Sequence, residues 1–156
     1  MSDVRWTTKT FAELTAAELY ALLRLRSEVF VVEQNCVFLD LDGKDQLAHH
    51  VIGYFPDGSV GATSRLFDRD VSYEGYSSIG RVCVSKAARR MGAGRALVDH
   101  SIAECQRLFG AQQPIKIGAQ LYLERFYSGL GFVRSGDVYP DDGIDHVPMI
   151  RHERLE

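Results

Sequence analysis

"SKAARRMGAGRAL", Ser85 to Leu97, sets adjacent arginines and two glycines where an apolar strand gives way to a helix. Glycine inside a helix costs about 1 kcal/mol relative to alanine, and neighbouring like charges repel. One use accounts for both penalties. The first N–H groups of a helix have no intrahelical acceptor, and the helix dipole favours negative charge beside them. Glycine lets that backbone approach an anion closely, and Arg89, Arg90 and Arg95 add charged donors. The spacing Arg89-x-x-Gly92-x-Gly94 therefore suits a pyrophosphate, although a surface loop with turn glycines satisfies the same short pattern. A Walker loop is excluded, because no Gly-Lys-Ser/Thr occurs. A dinucleotide fingerprint fails as well, because Leu97 stands where glycine or alanine is needed.

The flanks support the anion reading. "SSIGRVCV" (Ser77 to Val84) is predicted as a strand rich in β-branched residues. After the loop, Val98, Ile102, Cys105 and Phe109 form one apolar stripe, and Gly110 is a plausible helix end. "PIKIGA" follows as a short strand, so strand–helix–strand from Ile79 to Ile117 predicts a parallel pair. Upstream, "LTAAELYALLRLRSEVF" is predicted as a helix opened by a Thr15/Glu18 capping box. "HHVIGYF" and "VGATSRLF" flank the turn "PDGS" as a hairpin. Downstream, "QLYLERFYSGLGF" is predicted as a third helix, and "VRSGDVY" and "DHVPMIRHERL" as closing strands around "PDDG". The order β-α-β-β-β-α-β-α-β-β implies an α/β (α+β) fold: a mixed, mostly antiparallel sheet with helices on both faces. With no repeat or linker in the 156 residues, residues 1–156 are expected to form a single domain.

Composition narrows the function. Hydrophobic residues make up 46% and charged residues 25%, as in a globular chain. A net charge of −3 provides no global field for nucleic acid or anionic membrane. The 3 cysteines form no C-x-x-C pair, and "MSDVRWTTKTF" lacks the apolar core of a signal peptide. No apolar run approaches a membrane span, so a cytoplasmic protein is expected. His49 and His50 are adjacent and point to opposite sides of a strand, so no metal is expected.

Taken together, "IGRVCVSKAARRMGAGRAL" resembles the acetyl-CoA-binding strand, loop and helix of the GNAT superfamily of N-acetyltransferases, whose loop pattern is [QR]-x-x-G-x-[GA]. "LERFYSGLGF" is similar to that superfamily's later helix. "LRSEVFVVEQNC" and "YPDDGIDHVPM" resemble its narrower ElaA-like subgroup, so the likeness runs from about Leu22 to Met149. The resemblance implies a GNAT-like acyl-CoA N-acyltransferase fold with acetyl-CoA as co-substrate. It places the pyrophosphate on Arg89, Arg90, Met91, Gly92, Ala93, Gly94 and Arg95, and the pantetheine arm along the backbone of Val82, Cys83 and Val84. It also implies that Tyr127 protonates the departing thiolate, whereas helical spacing alone puts Tyr127 in the core with Leu123 and Leu130.

Other roles are less determined by the residues. Glu33 follows an apolar run and is the first choice of general base; a solvated helix-end glutamate fits equally, and His49, His50 and His146 are rivals. Gln120 either contacts the cofactor or caps the third helix. Arg81 lies on a solvated sheet face or lines the cleft, and Arg26 is a cleft residue or a solvated helix charge. Arg26, Arg81 and His146 are thus candidate substrate contacts. Asp141, Asp142 and Asp145 could attract an amine but suit a turn better. The expected activity is transfer of an acetyl group to a primary amine, of a small molecule or peptide, by direct attack on the thioester. A non-catalytic acyl-CoA-binding domain on the same scaffold is the alternative. The partners expected are that amine and no nucleic acid or membrane, with the chain a monomer or homodimer.

Overall fold

In the computed structural model, which describes residues 3–153, the chain divides into two compact units. One comprises Met1–Leu66 with Arg81–Ser101, the other Phe67–Gly80 with Ile102–Glu156.

In the first unit, β1 (Arg5–Thr10), β2 (His49–Tyr54) and β3 (Val60–Phe67) pair antiparallel in sequence. Tyr54 alternates to the face opposite Gly53, and a register shift at this point, which skips Gly61, turns its partner Val60 to that same face, away from Ala62. Helix α1 (Ala16–Arg26) covers the Tyr54 face, where the Tyr54 hydroxyl donates to Glu18 at 2.6 Å. Helix α3 (Ala93–Phe109), preceded by the single turn α2 (Lys86–Arg89), covers the other face. There Ser101 meets Ser64 at 2.7 Å and His100 stacks on Trp6. Helices thus lie on both faces, as expected.

The capping box at the start of α1 forms on both sides, Glu18 N–H to Thr15 Oγ1 at 3.1 Å and Thr15 N–H to Glu18 Oε1 at 2.9 Å. The helix does not simply run on to Phe30. From Ser27 to Glu33 the winding widens to a π-helix, and Gln34 and Cys36 donate five residues back, to Val29 and Val31. This segment is rich in β-branched valine, which crowds the α-helical turn. Leu25, Val29 and Cys83 pack together here, with Phe30 and Val60 against them.

In the second unit, Ser77 and Ser78 of β4 (Ser77–Val84) pair parallel with Ile115 and Lys116 of β5 (Ile115–Gln120). β5 pairs antiparallel with β8 (Ile144–Arg151), which also takes β6 (Val133–Arg134) and β7 (Tyr139–Asp141) antiparallel. The sheet is therefore mixed and mostly antiparallel. The predicted strand "VRSGDVY" is two pieces, because Ser135–Val138 leave the ladder. The predicted third helix is also shorter: a 3₁₀ turn (Leu121–Leu123) and α4 (Glu124–Ser128) replace one long helix. Ile115, Ile117, Ala119, Val147 and Met149 bury one sheet face, and Leu130 and Phe132 are buried in the same unit. Each of these side chains except the small Ala119 contributes roughly 1.5–3 kcal/mol.

Candidate acyl-CoA and transfer site

The loop between β4 and α3 has the form needed to hold an anion. Gly92 sits at φ +73°, a left-handed conformation that favours glycine, and nothing lies within 4 Å of where its Cβ would be. Its carbonyl accepts the first helical bond of α3, from Ala96 at 3.3 Å. The N–H groups of Ala93, Gly94 and Arg95 therefore precede the helical ladder and are free of intrahelical acceptors. Gly94 is also open, with nothing within 4 Å of a Cβ there. Arg90, Met91 and Arg95 are exposed along the rim, whereas Ala93 is buried and anchors the helix start. Arg95 reaches Asp99 one turn on, at 3.8 Å.

Arg89 is more constrained than its neighbours. Its Nε donates to the Val84 carbonyl at 3.1 Å, and its guanidinium is ion-paired with Glu33 from the π-helical segment. The structure thus joins two residues singled out for different tasks, a loop arginine and a candidate base. The Val84 carbonyl, part of the backbone expected along a pantetheine arm, thus already accepts one hydrogen bond, from Arg89. Val82 is half-buried, and Cys83 is buried among Leu25 and Val29. Burial pushes the Cys83 thiol well up from its ordinary value.

Tyr127 is buried at 8% exposure on α4, edge-on to Phe126 and Phe132 with ring centroids 5.1 and 5.8 Å away. The ring is therefore packed in the core, as helical spacing alone implies, and the hydroxyl makes no hydrogen bond to any described residue. Burial, helped by Tyr122, raises it to about 12, so it stays protonated near neutral pH.

The remaining candidates are placed as follows. Gln120 occupies the cap position before the 3₁₀ turn, but its side chain makes no capping hydrogen bond, which corrects that reading. The His146 ring stacks on Tyr139 and its Nδ1 lies 2.7 Å from the Ile144 carbonyl. Asp142 and Gly143 both have positive φ, as the two central residues of the β7–β8 hairpin turn require, so this acidic stretch is built as a turn. His50 is buried, with Nε2 2.8 Å from the Asp45 carbonyl.

Arg26 is neither a cleft residue nor a solvated charge. It is 1% exposed, with Nε on Asp40 at 2.9 Å and Nη1 and Nη2 on Asp45 at 2.8 and 3.2 Å. A guanidinium committed in this way is not available to a substrate. Arg81 belongs to the same cluster, with Nε 2.8 Å from Asp40. Arg65 from β3 closes the cluster on Asp42 and Asp45. The partner of Asp40, Asp42 and Asp45 was the signal missed in the sequence. "DLDGKD" reads locally as a turn, and only the fold brings Arg26, Arg65 and Arg81 to it.

Residues 48–152 match the family described as acetyltransferase (GNAT) domain. The chain belongs to that family. It is similar to an acyl-CoA N-acyltransferase from Pseudomonas aeruginosa whose crystal structure superposes with a TM-score of 0.89 at 43% identity, covering 95% of this chain and 99% of that one. The crystal structure of Escherichia coli ElaA superposes with a TM-score of 0.87 at 36% identity, over 96% and 99% of the two chains. A UPF0039 protein of Mycobacterium tuberculosis is 45% identical over 141 residues, 89% of this chain and 87% of that protein. These relatives establish the GNAT acyl-CoA N-acyltransferase fold and the ElaA-like kinship. No helix among the described residues is long and apolar enough to cross a membrane.

Proposed function

We propose that this GNAT protein is an acetyl-CoA-dependent N-acetyltransferase acting on a primary amine. The observation that carries the proposal is the start of α3: a left-handed Gly92, an open Gly94, free amide donors and a rim of arginines. These residues fit a pyrophosphate, with Ala93, Gly94 and Arg95 donating through their amides and Arg89, Arg90 and Arg95 supplying charge. When bound, acetyl-CoA supplies an acyl group already activated as a thioester. A raised Cys83 thiol is a poor nucleophile, which favours direct attack by the amine over transfer through the protein.

Tyr127 contributes as a hydrogen-bond donor. A hydroxyl near 12 is a weaker acid than a thiol near 8.5, so complete proton transfer to the thiolate is uphill by several kcal/mol. A hydrogen bond to the developing sulfur charge is worth about 1.5–3 kcal/mol and needs no such transfer. Tyr127→Phe should therefore lower kcat by about 10- to 100-fold and leave acetyl-CoA affinity unchanged. The test combines a screen of amines for acetyl-CoA turnover with calorimetric titration of acetyl-CoA, on wild type and variant. Binding without turnover on any amine would make the chain a binding module. Absence of binding would overturn the proposal entirely.

A further inference from the structure

Arg81 is the only arginine with positive φ among the described residues, at +46° in the middle of β4. A left-handed L-residue costs roughly 1–2 kcal/mol and persists where its surroundings impose it. Before it Ser77, Ser78 and Ile79 are all buried; Gly80, Arg81 and Val82 are half-buried, and Cys83 and Val84 are buried again. The conformation of residue 81 therefore sets the direction in which the backbone units of Val82, Cys83 and Val84 face.

The side chain of Arg81 is held at several points. Its Nε donates to Asp40 Oδ1 at 2.8 Å, and Nη2 donates to the Asp40 carbonyl at 3.0 Å and reaches Asp42 Oδ2 at 3.5 Å. Its guanidinium also lies 5.8 Å from the Phe38 ring centroid. Asp40 cannot yield easily. It is 3% exposed, and its other oxygen accepts from Arg26, itself buried and fixed to Asp45. Asp45 is held in turn by Arg65 of β3 at 3.0 Å. The carboxylate of Asp40 thus bridges a rigid anchor on α1 and the strained residue of β4. Removing one member of a buried pair is costly, whereas the exposed loop pairs are weak.

We propose that Asp40 is a positioning residue: it clamps Arg81 in its left-handed conformation and so presets the Val82–Val84 backbone for the acyl-pantetheine arm. The inference rests on the acetyl-CoA reading above. Its signature is selective, because a clamp on β4 governs the pantetheine arm and leaves the pyrophosphate loop of α3 intact.

Two ligands separate these parts: acetyl-CoA, and 3′-phospho-ADP, which has the pyrophosphate but lacks pantetheine. By calorimetry, Asp40→Asn should weaken acetyl-CoA at least about 10-fold and change 3′-phospho-ADP less than about 2-fold. Adding Arg81→Gly to Asp40→Asn should restore acetyl-CoA affinity to within about 3-fold of wild type, since glycine adopts positive φ without a clamp. If Asp40→Asn does not fold, Arg81→Gly and Arg81→Val make the same comparison with Arg26 and Asp40 still paired. Glycine should retain acetyl-CoA affinity, and valine, strongly disfavoured at positive φ, should lose it alone. Equal loss of both ligands, no loss, or no recovery with glycine would overturn the clamp. Failure of the wild type to bind either ligand would instead overturn the acetyl-CoA reading.

Discussion

Glu33 shows how a residue's type and its surroundings can point to different tasks. A carboxylate after an apolar run suits a general base, yet here it holds the guanidinium of Arg89. A bound pyrophosphate would compete for that guanidinium and would be repelled by the carboxylate beside it. Glu33→Gln removes both effects. The expected outcome is tighter acetyl-CoA binding by up to about 5-fold, the scale of a half-exposed ion pair, with the gain shrinking as salt rises. A general base gives another signature, loss of kcat and of the acidic limb of the pH profile at unchanged affinity. Titration of acetyl-CoA at two salt concentrations distinguishes them, and weaker binding by the variant would refute the competition.

Among the elements, the N-terminus of α3 permits a test that separates ligand loss from unfolding. Gly92 is a poor choice for it, because any side chain at φ +73° strains the backbone whether or not a ligand binds. Gly94 has no such strain and only open space around it. Gly94→Leu should raise or preserve the melting temperature, since leucine is a better helix former by up to about 1 kcal/mol. The same side chain would stand where the pyrophosphate must approach, so acetyl-CoA affinity should fall by at least about 10-fold. Thermal melts and calorimetry on one preparation check both halves. Unchanged affinity would remove the loop as the binding site.

The elements also show what could be read in advance. β4, the loop, α3 and β5 were legible because their signals are local: β-branched runs, a 3.6-residue stripe and glycine punctuation. α1 was legible at its capping box and not at its end, because π-winding has no local signature distinct from an α-helix. The third helix is over-extended in the sequence because Leu123, Tyr127 and Leu130 keep helical spacing from the 3₁₀ turn to beyond the end of α4. In the site, the anion loop could be read, whereas the Arg26–Asp40–Arg81 cluster could not. Its members are far apart in sequence, Asp40 and Arg81 alone by 41 positions, and no local pattern distinguishes a buried arginine from a solvated one.

At the scale of the whole molecule, the paired carboxylates and the buried His50 determine how stability responds to pH. Burial pushes the Glu18 carboxyl up, but Lys9, the Thr15 amide and the Tyr54 hydroxyl outweigh it and bring it down to about 2. Hydrogen bonding from Arg65 lowers Asp42, and in Asp45 the pairing with Arg26 and Arg65 overcomes burial. For each carboxylate the folded value lies below the unfolded one, so its contribution is complete above about pH 4.5 and is lost as pH falls below it. Glu18 alone accounts for about 3 kcal/mol on this scale. His50 acts earlier. Burial, against a hydrogen bond to Asp45, holds its imidazole below the ordinary 6.5. Below pH 6.5 the unfolded chain therefore takes up a proton that the folded chain refuses, and stability falls with pH there too. Melting temperatures between pH 7.5 and 3 should accordingly fall in two stages, gently from about 6.5 and steeply below about 4.5. His50→Gln keeps an amide donor for the Asp45 carbonyl and removes the titration. Whatever its effect on the absolute melting temperature, it should flatten the upper stage, and Glu18→Gln should shrink the lower one. A wild-type melting temperature that stays level from pH 7 to 5 would exclude the His50 contribution.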